Sequence, residues 1–562
     1  MGCCTSTQVK PADEHSEVSK VHRKTTSNRE QHKRTDAFQS IDVHALKAPQ
    51  NVKNSVASLV EYLVQGARTD KEKVRAFYVW IANNIRYDTH AFFSGNYGGV
   101  DADSVLRSGA SVCSGYANLF EAFCKIAQIQ VQVIHGFAKG YGHSPEKHFS
   151  PNTDTNHAWN AVYLDNKWEF IECTWGAGHL SDSGEFQREF SNFHFLPNPI
   201  HFIVAHFPFD NSITDYSKKW QLLKTPMSLE EFNRNIELTQ SAMEWNIKPK
   251  SHRYGVVDVK GFVEIVIEDK KGQLCDTSFH LWEKQSGNRI EEYGFLRKES
   301  ATEIKITLQP PKATMYSVRI FGRVDPSLEK LNDLMTFVIN CRETRKTSPY
   351  PRLTNQWGIQ PAAFDHGLLK WNQYKIPAIL RSTNGRVELT LKTTRNIPTL
   401  LKLSHATNQF PNGERFTLVT GGKDFLDIKL RLPYTGYYKL QLMFKREKSS
   451  DDLYHGMANF LVECESADED CIPFPATHPH TQEYSCSLIE PLDGNLPANK
   501  SVKFRFKSSV VRKAIAGDEQ MKHNGNEWSA EIRTPGAGRT VDIMGTNVDE
   551  NKYWGLFTFD VI

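Results

Sequence analysis

The chain has 562 residues, of which 39% are apolar and 11% aromatic, and its formal charge at pH 7 is +3. This length predicts several domains, and the apolar share is sufficient for packed cores. The nearly balanced charge gives no reason to expect a nucleic-acid partner. Since no apolar run approaches the roughly 18 residues that a membrane-spanning helix needs, the body of the chain is expected to be soluble.

Ten cysteines are spread along the chain without a C-x-x-C pair or a regular framework. No H-E-x-x-H motif and no paired Cys/His set with zinc spacing occurs in the sequence. This pattern predicts free thiols in a reducing compartment, and it gives no reason to expect a metal or a cofactor.

The first six residues carry a lipidation signal. Met1–Ser6 reads M-G-C-C-T-S and matches M-G-x-x-x-[ST], which predicts myristoylation of Gly2. Cys3 and Cys4 follow directly and are predicted sites of palmitoylation. Because one myristoyl chain binds a membrane only marginally, a second acyl chain is needed for stable anchoring. We therefore expect a cytoplasmic, peripheral protein that is anchored by lipids to the cytoplasmic leaflet of a membrane.

The first 48 residues are predicted to form a disordered tail. Up to about residue 45 the chain is rich in Ser, Thr, Lys, Glu and Gln and poor in apolar residues, a composition that is typical of disorder. Val18–Arg34 contains six lysines and arginines against a single acid, Glu30. A basic segment of this kind adds electrostatic attraction to an anionic leaflet.

Three amphipathic helices are predicted next. Apolar residues recur at helical spacing within Asn54–Val64. Thr69–Glu72 reads T-D-K-E, a capping box that predicts the start of a second helix ending near Arg86–Asp88. A third helix is predicted to begin at Cys113. Its buried positions are Ala117, Phe120, Phe123, Cys124 and Ala127.

Cys113 is a candidate nucleophile because of its place at the start of a helix. The thiolate is the reactive form of cysteine, and the unpaired N–H groups and dipole of a helix N-terminus lower the pKa of a thiol. Gly115 and Ala117 are expected to leave room for a substrate, whereas Cys124 on the apolar side is expected to be inert. The alternative is that Cys113 is structural, as most cysteines at helix starts are.

Two strands are predicted at Asn156–Leu164 and Trp168–Cys173, joined by a hairpin turn at Asp165-Asn166. Because a hairpin makes the two strands neighbours, Glu172 is expected to reach the ring of His157. A cysteine nucleophile needs an imidazole to accept its proton and an acid to orient that imidazole. A single strand histidine is more often a core residue, so the sequence alone leaves both interpretations open. Helices followed by strands predict an α+β domain over residues 49–228.

Beyond about residue 250 the sequence alternates between strands and turns and contains an internal repeat. Three units end in related strands, F-V-I-N-C at Phe337–Cys341, F-L-V-E-C at Phe460–Cys464 and F-D-V-I at Phe559–Ile562. Their spacing fits whole β-sandwich domains rather than solenoid repeats. Cys341 and Cys464 are expected to fill core space as small hydrophobes. The predicted modules cover residues 229–345, 346–470 and 471–562.

Three segments resemble the motifs of the transglutaminase-like superfamily of papain-type cysteine enzymes, namely G-A-S-V-C-S-G-Y-A-N-L-F, H-A-W-N-A-V-Y-L and W-E-F-I-E-C-T-W-G-A-G. A finer resemblance is to the kyphoscoliosis peptidase family, and it rests on V-R-A-F-Y-V-W-I-A-N-N-I-R-Y-D, G-F-A-K-G-Y-G, H-F-L-P-N-P-I-H-F-I-V-A-H-F-P and W-Q-L-L. It is close over residues 50–225 and looser behind them. The implied fold is an α+β papain/transglutaminase-like domain followed by tandem all-β sandwich modules.

The resemblance implies a Cys–His–acid triad that forms a thioester with a substrate carbonyl. By motif, Cys113 is the nucleophile and His157 the general base and then acid. The third position, which is usually aspartate, is Glu172 here, so one extra methylene must be accommodated. Misplacement by about an ångström can cost on the order of a hundredfold in rate.

The sequence is compatible with two functions. The first is an enzyme acting on protein substrates, as a peptidase when water is the acceptor or as a crosslinking enzyme when a lysine amine is the acceptor. The second is a scaffold that keeps the triad while its β-modules bind cytoskeletal proteins, since the resemblance implies partners such as filamin. Tandem sandwiches expose loops and edges that suit such binding.

Overall fold

A computed structural model describes eight stretches of the chain, residues 29–353, 356–360, 362–370, 376–409, 411–445, 454–468, 471–548 and 552–562. These residues divide into two compact units. The first runs to Gly136 and resumes at Asn156–Pro199, and the second contains Phe137–Thr155 and Ile200–Ile562. The predicted lipidation sites Gly2, Cys3 and Cys4 lie outside the described residues. No helix among the described residues combines the length and the apolar character that crossing a membrane requires.

The first unit contains seven helices in its described part. Their bounds are α1 Arg29–Leu46, α2 Val56–Leu63, α3 Asp70–Asn84, α4 Thr89–Ser94, α5 Ala102–Ser108, α6 Cys113–Ile126 and α7 Cys173–Ala177. The predicted capping box is present, because the side chains of Thr69 and Glu72 each accept the backbone N–H of the other. Helices α3 and α6 pack through aromatic rings, with the centroids of Phe77 and Phe123 5.4 Å apart.

The strands of this unit form three small sheets around those helices. Their bounds are β1 Arg86–Tyr87, β2 Ala110–Ser111, β3 Val131–Ala138, β4 His157–Leu164, β5 Lys167–Ile171, β6 Gly178–Leu180 and β7 Phe186–Arg188. Strand β4 pairs antiparallel with both β3 and β5. The predicted hairpin turn is present, since Asp165 and Asn166 both have positive φ, 48° and 63°, as a type I′ turn requires.

The prediction of a disordered tail is wrong for residues 29–46, because helix α1 spans them. Residues 1–28 of the predicted tail lie outside the described residues. The α1 residues Ile41 and Ala45 are buried in the core of the first unit. Their four-residue spacing places both on one side of the helix. Asp42 between them forms a bidentate ion pair with Arg75, which is only 3% exposed. A tertiary ion pair and two apolar contacts thus order a segment whose composition is typical of disorder.

The second unit begins with short elements and continues into three β modules. Its helices are α8 Pro199–Phe202, which starts at the unit boundary, α9 Tyr216–Trp220, α10 Leu229–Arg234, α11 Gln240–Trp245, α12 Ala362–Asp365 and α13 Pro479–Glu483. Strand β8 spans His206–Pro208. The strands of the first module are β9 Glu237–Leu238, β10 Ile247–Pro249, β11 Val256–Lys260, β12 Val263–Asp269, β13 Asp276–Glu283, β14 Gly294–Lys298, β15 Glu303–Leu308, β16 Met315–Arg323 and β17 Asn332–Glu343.

The second and third modules repeat this strand-rich construction. The second contains β18 Gly358–Ile359, β19 Ile379–Ser382, β20 Arg386–Lys392, β21 Thr399–His405, β22 Thr417–Gly421, β23 Phe425–Arg431, β24 Gly436–Lys445 and β25 Tyr454–Cys464. The third contains β26 Ala476–Thr477, β27 Ser487–Glu490, β28 Asn495–Leu496, β29 Ser501–Lys507, β30 Lys513–Ala516, β31 Glu519–Gln520, β32 Lys522–Asn524, β33 Glu527–Arg533, β34 Thr540–Thr546 and β35 Trp554–Val561. Short 3-10 turns lie at Gln50–Asn54, Glu291–Tyr293 and Gly413–Phe416.

Each module consists of two sheets around one apolar core. The sheet orders are β10-β12-β15-β14 and β11-β17-β16-β13 in the first module, β18-β25-β24-β21 and β20-β23-β22 in the second, and β26-β35-β34-β30-β31 and β27-β29-β33-β32 in the third. This confirms the predicted fold class of an α+β domain followed by tandem all-β sandwiches.

The repeated sequence ends coincide with equivalent strands. Strands β17, β25 and β35 each pair in parallel with an early strand of their module and antiparallel with the strand before them, where a register shift recurs. Cys341 and Cys464 are 2% and 3% exposed, which confirms the expectation that they fill core space. Two of these modules contain a tyrosine corner, in which the hydroxyls of Tyr316 and Tyr438 hydrogen-bond the backbone four residues upstream. The sequence alone did not predict this feature.

Candidate active site

Cys113 is the first residue of α6, as its sequence context predicts. The residue before it, Val112, provides no side-chain cap, so the positive end of the helix dipole is available to the thiol. Cys113 is half-buried, whereas Cys124 on the same helix and Cys173 are buried. The thiol of Cys113 is therefore the accessible one of these three.

The neighbouring thiols differ from Cys113 in their electrostatic surroundings. Burial raises the pKa of the Cys124 thiol well above its ordinary value, with a smaller contribution from the charge of Glu121. Burial also raises the pKa of Cys173, and the Glu172 carboxylate adds to that effect. Neither thiol has a pKa that favours a nucleophilic thiolate, and for Cys124 this agrees with the prediction that it is inert.

His157 is the first residue of β4 and is 8% exposed. Its Nε2 lies 2.8 Å from Glu172 Oε2, so the predicted contact between these two side chains is present. Its ring lies beside two indoles, with centroid distances of 5.9 Å to Trp159 and 5.6 Å to Trp175. Because a carboxylate only accepts hydrogen bonds, Nε2 must carry the proton, and Nδ1 is the ring nitrogen left to meet a thiol.

Glu172 is completely buried, and both of its carboxylate oxygens accept hydrogen bonds. Oε2 faces His157, while Oε1 accepts the backbone N–H groups of Thr174, at 2.8 Å, and Trp175, at 3.2 Å. The Glu172 backbone N–H donates to the His194 carbonyl at 3.1 Å. Three hydrogen bonds thus fix the position and the charge of the carboxylate, and a fourth holds its backbone.

The position of Glu172 differs from the prediction that places it within a strand. Strand β5 ends at Ile171, and Glu172 is the N-cap of helix α7. At this position one carboxylate oxygen of Glu172 accepts the first N–H groups of α7, while the other oxygen reaches His157. The extra methylene relative to aspartate is absorbed by the cap geometry.

The electrostatics of His157 reflect both of its partners. Burial by itself lowers the pKa of His157, but the Glu172 charge and then Cys113, through its charge and a hydrogen bond, outweigh burial and raise that pKa above its ordinary value. The imidazolium form of His157, which lies between the Cys113 thiol and the Glu172 carboxylate, is therefore favoured. Cys113, His157 and Glu172 form one connected chain of hydrogen bonds.

The expectation that Gly115 and Ala117 make room for a substrate is wrong. Both are buried inside the first unit, and the space over Gly115 is filled by protein. A Cβ at Gly115 would lie 2.6 Å from the Cβ of Ser111 and 2.8 Å from Cγ2 of Val105, with the Ser111 hydroxyl closer still. Gly115 allows the segment before α6 to pack against the helix, so it positions Cys113.

Two comparisons with known sequences agree with this site. Residues 57–173, which contain Cys113, His157 and Glu172, match the transglutaminase-like superfamily. Residues 229–352 and 354–475 each match the KY-like, immunoglobulin-like domain. The chain carries a transglutaminase-like domain followed by KY-like immunoglobulin-like modules. The third module, which begins at Ala476, lies outside the matched residues.

Individual proteins with similar sequences extend the comparison. The kyphoscoliosis peptidase of Homo sapiens is 26% identical over 538 residues, which cover 93% of this chain and 77% of the relative. The Lim and transglutaminase domain protein ltd-1 of Caenorhabditis elegans is 26% identical over 467 residues, covering 78% and 62%. Hillarin of Drosophila melanogaster is 29% identical over 247 residues, covering 42% and 28%. The resemblance to kyphoscoliosis peptidases that the motifs predict is thereby confirmed.

Proposed function

We propose that the protein is a cysteine acyl-transfer enzyme of the transglutaminase-like type, acting on protein substrates through a thioester at Cys113. The observation that carries this proposal is the buried hydrogen bond between His157 and Glu172 together with the contact of His157 with Cys113. A thiol at a helix start, an imidazole and an orienting carboxylate are the parts that such chemistry needs.

The reaction follows from the roles of these three side chains. His157 takes the thiol proton, and the thiolate attacks the substrate carbonyl carbon to form a tetrahedral intermediate. As the carbonyl re-forms, the imidazolium donates its proton to the departing amine, leaving a thioester on Cys113. His157 then deprotonates the acceptor, which releases the acyl group. Water as acceptor gives hydrolysis, and a lysine amine gives a crosslink.

The reactivity of Cys113 can be tested against a second thiol of the same chain. Cys275 is an exposed residue and therefore more accessible than Cys113. Partial burial raises the pKa of its thiol, and the sulfur donates to the backbone carbonyl of Arg323 instead of meeting an imidazole. With limiting iodoacetamide at neutral pH, we expect Cys113 to be alkylated at least about tenfold faster than Cys275, because His157 acts as a base beside Cys113. Peptide mapping by mass spectrometry measures both rates in one sample.

Two variants serve as controls for this experiment. His157→Ala should reduce the labelling of Cys113 to the rate of an ordinary thiol and leave Cys275 unchanged. If Cys113 is labelled no faster than Cys275 in the wild-type chain, the enzyme proposal fails and the scaffold hypothesis is favoured. Fragments or crosslinked species that disappear from cells carrying Cys113→Ala would distinguish hydrolysis from crosslinking.

We also propose that the β-modules bind cytoskeletal, filamin-like proteins at a membrane. Lipids on Gly2, Cys3 and Cys4 would hold the protein at the cytoplasmic leaflet of that membrane. Gly2→Ala should move the protein from the membrane to the soluble fraction, because palmitoylation acts on a chain already held at the membrane. The Cys3→Ser, Cys4→Ser double variant should bind only partially, since a single myristoyl chain anchors weakly. Full membrane retention of Gly2→Ala in cell fractionation would contradict the proposal.

A further inference from the structure

Arg75 on α3 is a buried cation that lies among aromatic rings. It is 3% exposed, and its guanidinium carbon is 4.9 Å from the ring centroid of Phe195, 5.6 Å from that of Phe190 and 5.7 Å from that of Phe38. A buried charge is costly unless it is paired. The partner comes from α1, since Asp42 Oδ1 accepts from Arg75 Nε at 2.7 Å and Asp42 Oδ2 accepts from Nη2 at 2.6 Å. The cation of α3 is thus paired with an anion of α1.

The same guanidinium also holds a loop of the first unit. Arg75 Nη2 donates to Asn192 Oδ1 at 2.7 Å as well as to Asp42 Oδ2. Because the bidentate pair with Asp42 fixes the plane of the guanidinium, it also sets the direction in which Nη2 meets Asn192. The side chain of Arg75 therefore connects α1 with the loop that contains Asn192.

That loop is bonded to the residue that carries the orienting carboxylate. The His194 carbonyl, two positions after Asn192, accepts the Glu172 backbone N–H at 3.1 Å. The Ser191 carbonyl, one position before Asn192, accepts the hydroxyl of Tyr78 on α3. Asn192 therefore lies between a residue that is bonded to α3 and a residue that is bonded to the N-cap of α7.

We propose that the docking of α1 through the Asp42–Arg75 ion pair positions Glu172 for the reaction, so that release of α1 from the first unit lowers the activity of Cys113. The inference rests on the proposed function, and Arg75 is a positioning residue that acts through Asn192. Without Asp42 the guanidinium loses the contact that sets its orientation, and the loop that binds the Glu172 backbone loses its fixed partner. Displacement of a reacting group by about an ångström costs on the order of a hundredfold in rate.

The place of α1 in the chain gives this contact a regulatory role. Residues 1–28, which include the predicted lipidation sites, lead directly into α1 at Arg29. A membrane or a partner that binds these residues is therefore connected to the helix that supplies Asp42. We expect whatever displaces α1 to act on the Cys113 site through Arg75.

The first test measures acylation of Cys113 by p-nitrophenyl acetate. The thiolate adds to the ester carbonyl, collapse of the tetrahedral intermediate breaks the C–O bond and releases p-nitrophenolate, and water then releases acetate from the thioester. Asp42→Asn is expected to slow p-nitrophenolate release about tenfold, because a neutral amide offers the guanidinium a single acceptor oxygen. Asp42→Glu keeps the charge and both oxygens, so it should restore most of the rate.

The second test separates positioning from a loss of stability. The Glu172 charge raises the pKa of His157, so a displaced carboxylate allows the imidazolium to lose its proton at lower pH. The imidazolium attracts the anion iodoacetate to the thiolate. The alkaline limit of Cys113 alkylation by iodoacetate should therefore move to lower pH in Asp42→Asn. A lower stability by itself does not move this limit in a protein that remains folded.

Two variants serve as controls for both tests. Val56→Ala removes buried methyl groups from α2 in the core of the same unit, so it should lower the melting temperature and leave the rate and the pH limit unchanged. Asn192→Ala removes the loop acceptor but keeps the ion pair, and it should slow acylation to a similar degree as Asp42→Asn. The double variant should be little slower than either single variant, because both substitutions interrupt one chain of contacts.

The outcomes separate this proposal from the one on which it rests. Equal p-nitrophenolate release by the wild-type chain and Cys113→Ala would overturn both. Release that depends on Cys113 but is unchanged in Asp42→Asn and Asn192→Ala would overturn only the role of α1. Equal slowing in Val56→Ala and Asp42→Asn, with an unmoved pH limit, would assign the effect to stability and would also overturn it. Asn192→Ala decides the question if Asp42→Asn fails to fold.

Discussion

Glu172→Gln is expected to slow acylation of Cys113 by p-nitrophenyl acetate on the order of a thousandfold at neutral pH, while the protein remains folded. The amide oxygen can still accept the N–H groups of Thr174 and Trp175, so helix α7 keeps its cap. The amide nitrogen would then face Nε2 of His157. Since two donors cannot pair, the imidazole is driven to the wrong tautomer and loses its negative partner.

The same substitution should change the pH dependence in a defined direction. The Glu172 carboxylate raises the pKa of His157 in the wild-type site. Without that charge the imidazolium loses its proton at lower pH. Because the imidazolium attracts the anion iodoacetate to the thiolate, the alkaline limit of Cys113 alkylation by iodoacetate should move to lower pH. Rates measured between pH 5 and 10 on both chains test this. An unchanged limit would show that Glu172 does not control the ionisation of His157.

Two further variants test whether the site needs a glutamate side chain at position 172. Glu172→Asp keeps the charge but is one methylene too short to cap α7 and reach His157 at once, so we expect a loss on the order of a hundredfold. Glu169→Gln is the control, because Glu169 lies on β5, three residues before Glu172, and forms an ion pair with the exposed Lys167. It should leave the rate unchanged. Wild-type rates in Glu172→Asp would contradict the inferred fit of the longer side chain.

Gly115→Ala is expected to destabilise the first unit by about 1–3 kcal/mol and to lower the reactivity of Cys113. The added methyl group would overlap the side chains of Ser111, which precedes α6, and of Val105 in α5. Relief requires the first turn of the helix to move, and that turn carries Cys113. Thermal unfolding and the iodoacetamide rate should therefore decrease together.

Gly456→Ala provides a matched control for this substitution. Gly456 lies in β25 with an ordinary φ, and a Cβ there would have no atom within 4 Å. We expect its unfolding to differ from wild type by less than about 0.5 kcal/mol. If Gly115→Ala unfolds and reacts like the wild-type chain, close packing at Gly115 is not what positions the nucleophile.

Local sequence signals predicted the elements that carry the site with good accuracy. The predicted start of α6 at Cys113 is the observed one, and the turn at Asp165-Asn166 has the predicted conformation. These features depend on residues that are close in the chain, namely helical periodicity and turn residues that tolerate positive φ. Glu172 was assigned to a strand because α7 has only five residues, too few for a helical period to be visible. Glutamate is also not among the usual N-cap residues.

Features that depend on distant contacts could not be predicted in this way. Helix α1 is ordered by Asp42 meeting Arg75, which lies 33 residues further along the chain. The sequence suggests room for a substrate at Gly115, because it does not show that the side chain of Ser111 packs against that residue.

Residue types and their periodicities predicted the α+β domain and the tandem β-sandwiches, and the resemblance of three motifs to the transglutaminase-like superfamily indicated the three side chains of a thiol-based site. The sequence did not show how Glu172 serves His157 and a helix start simultaneously. The reason is physical: propensities, caps and turns act over a few residues, whereas a hydrogen bond between remote side chains depends on how the intervening elements pack. At this site that packing converts a departure from the usual aspartate into a fully hydrogen-bonded carboxylate.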